Sequence, residues 1–229
     1  MKGSVNMAVI NVTPLTDITA LIASDAVSPG KNAVFYGMGI LFNAFILSDV
    51  SGVEINGITI RNYSISGVLI DFGSGNRIVN NKIYNIADYG IHVFSSSANL
   101  IWKNEICRGL DGVHLVLGST NNRIIENTVK NCYGDGFHSF REQDSDNVFV
   151  GNTAIGNRGY GMSIQGTNNL LLNNTLIDNG SGGVIIGEGS NTVGINNTVK
   201  DSRVTGYFVF NHDNSFTIPL NRSRQFVTR

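Results

Sequence analysis

The sequence predicts an all-β solenoid, one chain wound through about seven to nine coils of short parallel strands and closed by irregular caps. Three observations carry this. Glycines recur at Gly67, Gly90, Gly112, Gly136, Gly161, Gly183 and Gly206, with spacings of 23, 22, 24, 25, 22 and 23 residues. Asparagines keep the same register at Asn81, Asn104, Asn127, Asn152, Asn174 and Asn197, and a second series (Asn76, Asn99, Asn122, Asn147 and Asn169) precedes it by five residues. Each coil glycine is followed by an apolar residue: Val68, Ile91, Val113, Phe137, Met162, Val184 and Tyr207. A fixed period in the twenties with short alternating apolar runs is one supersecondary unit stacked on copies of itself.

Taken in chain order, residues 1–30 are irregular and suit a cap over the open end of the stack. Residues 34–47 are apolar but interrupted by Gly37, Gly39 and Asn43. At fourteen residues the run is too short to span a bilayer, so it reads as strands of the first coils. Residues 48–211 carry the regular coils, each with three short extended runs joined by Asn- and Gly-rich turns that tolerate positive φ. Equal asparagines stacked at the strand spacing hydrogen-bond from coil to coil, so these rows are architecture. Residues 212–229 form a tail with Arg222, Arg224 and Arg229. The whole is expected to be one domain, 1–229, with its cap and first coils at 1–47.

Composition narrows the function classes. With 41% hydrophobic and 14% charged residues, the 229-residue chain is neither disordered nor membrane-spanning. A net charge of −1 provides no concentrated basic patch for nucleic acid or a membrane surface. Cys107 and Cys132 stand at different offsets from their asparagines, which implies two free thiols rather than a bridge. Residues 1–12 lack the basic start and apolar core of a signal peptide. The chain therefore either does not leave by that route or has lost a leader; the location is left open, extracellular in the second case or else virion-associated.

Chemistry must come from positions where coils differ. Two residues after the coil glycines stand Leu69, His92, His114, His138, Ser163, Ile185 and Phe208, so three of the four histidines share one column in consecutive coils. Their neighbours on either side point inward, which turns the column outward. Imidazoles stacked at strand spacing should lower one another's pKa. Acids precede them in Asp88-Tyr-Gly-Ile-His92, Asp111-Gly-Val-His114 and Asp135-Gly-Phe-His138. An Asp orienting a His is a standard way to set a general acid or base. Next comes the most charged stretch of the coils, from Ser139 to Asp146, which offers Arg141 and Glu142 as a groove wall. Phe94 and Phe140 are outward rings suited to stacking on sugar faces. The segment Asp144-Ser-Asp146-Asn147 is the one candidate for calcium, though its spacing matches no standard loop.

The repeats resemble those of the parallel β-helix superfamily of carbohydrate-binding proteins and sugar hydrolases, which includes pectate-lyase-like enzymes, phage tailspikes and an accessory protein of nitrous oxide respiration. Within it, Tyr133-Gly-Asp-Gly-Phe-His138, followed by the coil from Asp146 to Asn157, is similar to the Tyr-Gly-Phe-Asp-Pro-His motif and repeats of mannuronan C5-epimerases. The resemblance covers roughly residues 50–210 and implies a single-stranded right-handed parallel β-helix. Carried over, it makes His138 and Tyr133 the acid–base pair and Asp135 their acidic neighbour, with His114 and Asp111 beside them. His92, Arg141, Phe140, Phe94 and Glu142 would hold substrate. The motif lacks the proline, and Asp135 stands three residues before His138 rather than two; Lys103, Arg108 and Lys130 are the nearby cation candidates.

The chemistry implied is removal of the C5 proton of a uronic acid, followed by reprotonation on the other face or loss of the 4-O substituent. Hydrolysis by Asp111 and Asp135 is a further route. No metal ligand set is assigned and no cofactor is required. The expected partner is a polysaccharide or oligosaccharide, with the chain monomeric or trimeric. Two other readings stand beside the enzyme. One is a tailspike-like glycan-binding protein with Leu69, Ile185, Phe208 and Phe210 as self-association contacts. The other is a metal-handling accessory protein using the histidine row.

Overall fold

The computed structural model describes residues 33–187 without a break, residues 189, 191–202, 205–209 and 214, and the short strands Val9–Ile10, Ser215–Thr217 and Phe226–Thr228. Apart from these strands, the caps predicted at 1–30 and 212–229 lie outside the described residues. So do the arginines of the tail and the side chains of Phe208 and Phe210.

Every regular element among the described residues is a strand. The strands form three parallel sheets of nine, eight and nine members, and each coil gives one strand to each sheet in turn. Apolar stacks run up the interior. In the first sheet Ile60, Ile83, Ile106, Val129, Ala154 and Leu176 lie over one another; in the second, Ile55, Ile78, Ile101, Ile124, Phe149 and Leu171. The third contributes the post-glycine residues from Val68 to Tyr207, and these stacks merge into one core. No helix of the described residues is long and apolar enough to cross a membrane.

The asparagine rows are ladders. Asn104 Nδ2 donates to Asn127 Oδ1 at 3.0 Å, and Asn127 Nδ2 to Asn152 Oδ1 at 3.1 Å. Each backbone N–H of the row also meets the next coil's amide oxygen. A third ladder, Asn157 to Asn179, closes the remaining corner, and a serine row, Ser96 to Ser119, runs beside the second asparagine series. The coil glycines are required for a reason the period alone does not reveal. A Cβ on Gly112 would stand 2.5 Å from the carbonyl oxygen of Gly136, and the same clash recurs at Gly67, Gly90, Gly136 and Gly161. Close approach of neighbouring backbones, rather than positive φ, fixes these glycines. Cys107 and Cys132 are free, and burial pushes the Cys132 thiol up to about 12.

Candidate functional site

The site lies on the outer side of the third sheet. Its strands Tyr89–Phe94, Asp111–Val116 and Phe137–Ser139 pair in register so that His92, His114 and His138 are direct neighbours. The ring centroids are 5.3 Å apart for His92 and His114 and 4.8 Å for His114 and His138. Ser163 continues the column. The predicted row therefore exists, but it is sheltered: the side chains of His114 and His138 are 9% and 17% exposed.

The shelter comes from flanking columns. One position before the coil glycines stand Tyr89, Asp111, Asp135 and Tyr160; two positions beyond the histidines stand Phe94 and Phe140. Tyr89 lies edge-on to His114 at 4.4 Å and against His92 at 4.5 Å. Phe140 stands 5.5 Å from His138, and Phe94 6.1 Å from His92.

Asp111 is the hub. Its Oδ1 accepts the Asp135 backbone N–H at 2.7 Å. Its Oδ2 lies 3.1 Å from His138 Nδ1, a hydrogen bond, and 3.2 Å from His114 Nδ1. The latter pair is close but not aligned as a hydrogen bond, and the buried His114 Nδ1 is left without a hydrogen-bond partner. Asp135 Oδ1 takes the Tyr160 N–H, and its Oδ2 stands 3.7 Å from His138 Nδ1. Both carboxylates thus converge on one imidazole.

The expectation that stacking lowers every imidazole pKa holds for His92 and fails for His138. Burial, with the neighbouring His114 charge, brings His92 down to about 4. Burial also pulls on His138, but the Asp111 hydrogen bond and the charges of Asp111, Asp135 and Asp144 outweigh it and raise the value. For Asp111 burial acts upward, yet the two imidazoles and the Asp135 N–H hold it well below the usual carboxylate range. Burial raises Asp135, with the His138 charge opposing. Burial likewise raises Tyr89, reinforced by Asp111 and Asp88, so its phenol stays protonated.

Several predicted residues are placed elsewhere. Tyr133 is 56% exposed and packs under the Arg158 guanidinium at 4.8 Å; the phenol against the histidines is Tyr89. Sequence reasoning passed over Tyr89 because it followed the histidine column alone, although Tyr89 shares the pre-glycine column with Asp111. Arg141 stacks on Phe140 at 4.9 Å, and Glu142 is exposed on the same loop. Lys103 and Lys130 pair with Glu126 and Glu105 at the other two sheets, and Arg108 is an exposed corner residue with φ of 61°. None of these three cations joins the histidines. Asp144 is fully buried, its carboxylate accepting the N–H groups of Gly118, Ser119, Phe140 and Arg141, while Asn147 belongs to a ladder. The Asp144 carboxylate thus holds the loop, and the exposed Asp146 carboxylate accepts the Asn168 amide at 3.2 Å.

A family model described as a right handed beta helix region matches residues 30–164 and, again, 67–223. No curated protein sequence matches the chain. Among solved structures, DFA-IIIase from Arthrobacter chlorophenolicus A6 without its lid is 17% identical, with a TM-score of 0.66 over 80% of this chain and 51% of that one. The periplasmic alginate epimerase AlgG is 19% identical, with a TM-score of 0.59 over 92% of this chain and 55% of that one. This chain spans about half the length of either neighbour, and at such identities the likeness is one of fold.

Proposed function

The chain belongs to the family of right-handed β-helix regions, and on that frame we propose that it handles polysaccharides, acting on uronic-acid polymers at the face of His92, His114 and His138. The observation that carries the reading is the Asp111 to His138 hydrogen bond of 3.1 Å inside an aromatic-flanked row. With Nδ1–H donated to Asp111, the neutral ring keeps Nε2 as its proton acceptor, the arrangement a general base requires. The likeness to an alginate epimerase and to DFA-IIIase supports a saccharide as the ligand.

In this reading His138 removes the C5 proton and the bonding electrons pass into the sugar carboxylate as an enediolate. Arg141, on the adjacent loop, supplies the positive charge that the carboxylate needs. The protonated Tyr89 phenol returns a proton at C5 from the other face, giving epimerisation. Alternatively, the enediolate electrons form the C4=C5 double bond as the C4–O bond breaks, and the leaving oxygen takes its proton from the Tyr89 phenol, giving elimination. Phe94 and Phe140 provide stacking surfaces for neighbouring sugars.

A panel of uronate polymers tests this. The expected result is either ultraviolet absorbance of an unsaturated product or a changed proton spectrum of the polymer, with a loss of about 100-fold or more in His138→Ala. Saturable glycan binding without turnover would leave a binding protein in place of the enzyme. Neither turnover nor binding across the panel would refute both.

A further inference from the structure

We propose that Asp111, His114 and His138 form a binding site for a divalent first-row transition metal ion of the Zn2+ kind. Their donor atoms, one from each side chain, lie within 4.8 Å of one another. Asp111 Oδ2 stands 3.2 Å from His114 Nδ1 and 3.1 Å from His138 Nδ1. Ligand atoms held at about 2.0–2.2 Å around a four-coordinate zinc are themselves roughly 3 Å apart, so these edges need little adjustment.

A second observation is independent of that convergence. His114 Nδ1 is buried, on a side chain only 9% exposed, and has no hydrogen-bond partner although a carboxylate oxygen is adjacent. An unmet nitrogen in that position is costly in a plain Asp–His cluster and is satisfied by an ion between the three atoms. The second sphere is also prepared. Asp111 Oδ1 is fixed by the Asp135 N–H, which leaves Oδ2 as a single-oxygen ligand, and Asp135 Oδ2 waits 3.7 Å from His138 Nδ1. Two imidazoles and a carboxylate suit zinc, cobalt or iron in preference to calcium or magnesium, and they leave a position open for water or an anion.

The inference does not depend on the saccharide reading, and the two make opposed demands on one atom. A metal on Nδ1 of His138 requires the ring proton to sit on Nε2, which then cannot accept another. The loaded site would therefore be unable to abstract a proton through His138, and a chelator would restore that capacity.

The test uses the full chain, purified without a histidine tag, stripped with chelator and titrated with Co2+. Expected are visible ligand-field bands of a low-coordinate ion saturating at one equivalent, displaced by Zn2+, and a Zn2+-dependent rise in melting temperature. His114→Gln, which keeps a polar group in place, should weaken Co2+ binding at least tenfold while its β-sheet circular dichroism is unchanged; His92→Gln should bind as the parent does. Absence of saturable bands, or bands that persist in folded His114→Gln, would overturn the site. Bands without action on any glycan would remove the saccharide reading alone, and turnover without bands would remove the metal alone.

Discussion

Asp111 owes its position to a coil offset: it belongs to one turn of the solenoid and serves the histidine of the next. Sequence spacing left each carboxylate within reach of its own histidine or that of the next coil, and stacking brings Asp111 Oδ2 nearer to His138 than Asp135 Oδ2, at 3.1 Å against 3.7 Å. The charge state of the row follows. In the metal-free protein, His138 should titrate above, and His92 below, the ordinary imidazole value in an NMR pH series. Asp111→Asn should lower the His138 value from that of the parent, because the hydrogen bond and the nearest charge are lost while burial remains. The stability contributions have opposite signs. The His138 part is full below the ordinary imidazole value and is lost as pH rises through its raised folded value. The His92 part is a penalty that grows as pH falls from 6.5 toward about 4, since the fold resists its protonation. An Asp111→Asn variant whose His138 resonance still titrated high would show that another carboxylate sets the base.

The corner ladders and glycine contacts set the spacing of neighbouring coils. Asn127 receives the Asn104 N–H and Nδ2 and donates to Ile101 O and Asn152 Oδ1, all in the interior. Asn127→Ala leaves several of these groups unmet and should cost about 2–4 kcal/mol in urea unfolding. Glycines separate by cause. Gly112→Ala drives a methyl into the Gly136 carbonyl and should cost about 2–3 kcal/mol and widen the gap beneath the histidines. Gly75 has φ of 64° with open space around it, so Gly75→Ala should cost only about 1 kcal/mol. Equal losses at the two glycines would contradict the packing explanation.

In a solenoid each coil touches only its neighbours, so stability is a sum of local terms. Hydrogen exchange should therefore be slowest in the central coils, around residues 101–176, and faster toward both ends of the stack. Uniform protection along the chain would mean that the coils unfold as a single unit. Function on such a frame resides in outward columns, where substitutions do not disturb the core. Both proposals, a proton-transfer pair and a metal ion, use this one face, and they are separable by experiment.

The period of the glycines, the alternation after them and the asparagine rows determined the coil, its three sheets and the outward histidine column, because each signal is local or repeats at a fixed interval. The equal spacing also made the rings neighbours. Which side chains close around them was decided by the tertiary structure. Tyr89 lies against the row because its pre-glycine column flanks it, while Tyr133 turns out to Arg158. Asp144 was drawn into the corner by four backbone N–H groups, and Arg141 lies over the Phe140 ring beside the row. Burial, ion pairing and unmet nitrogens depend on the distances between coils, and a linear pattern holds the order of residues but not those distances.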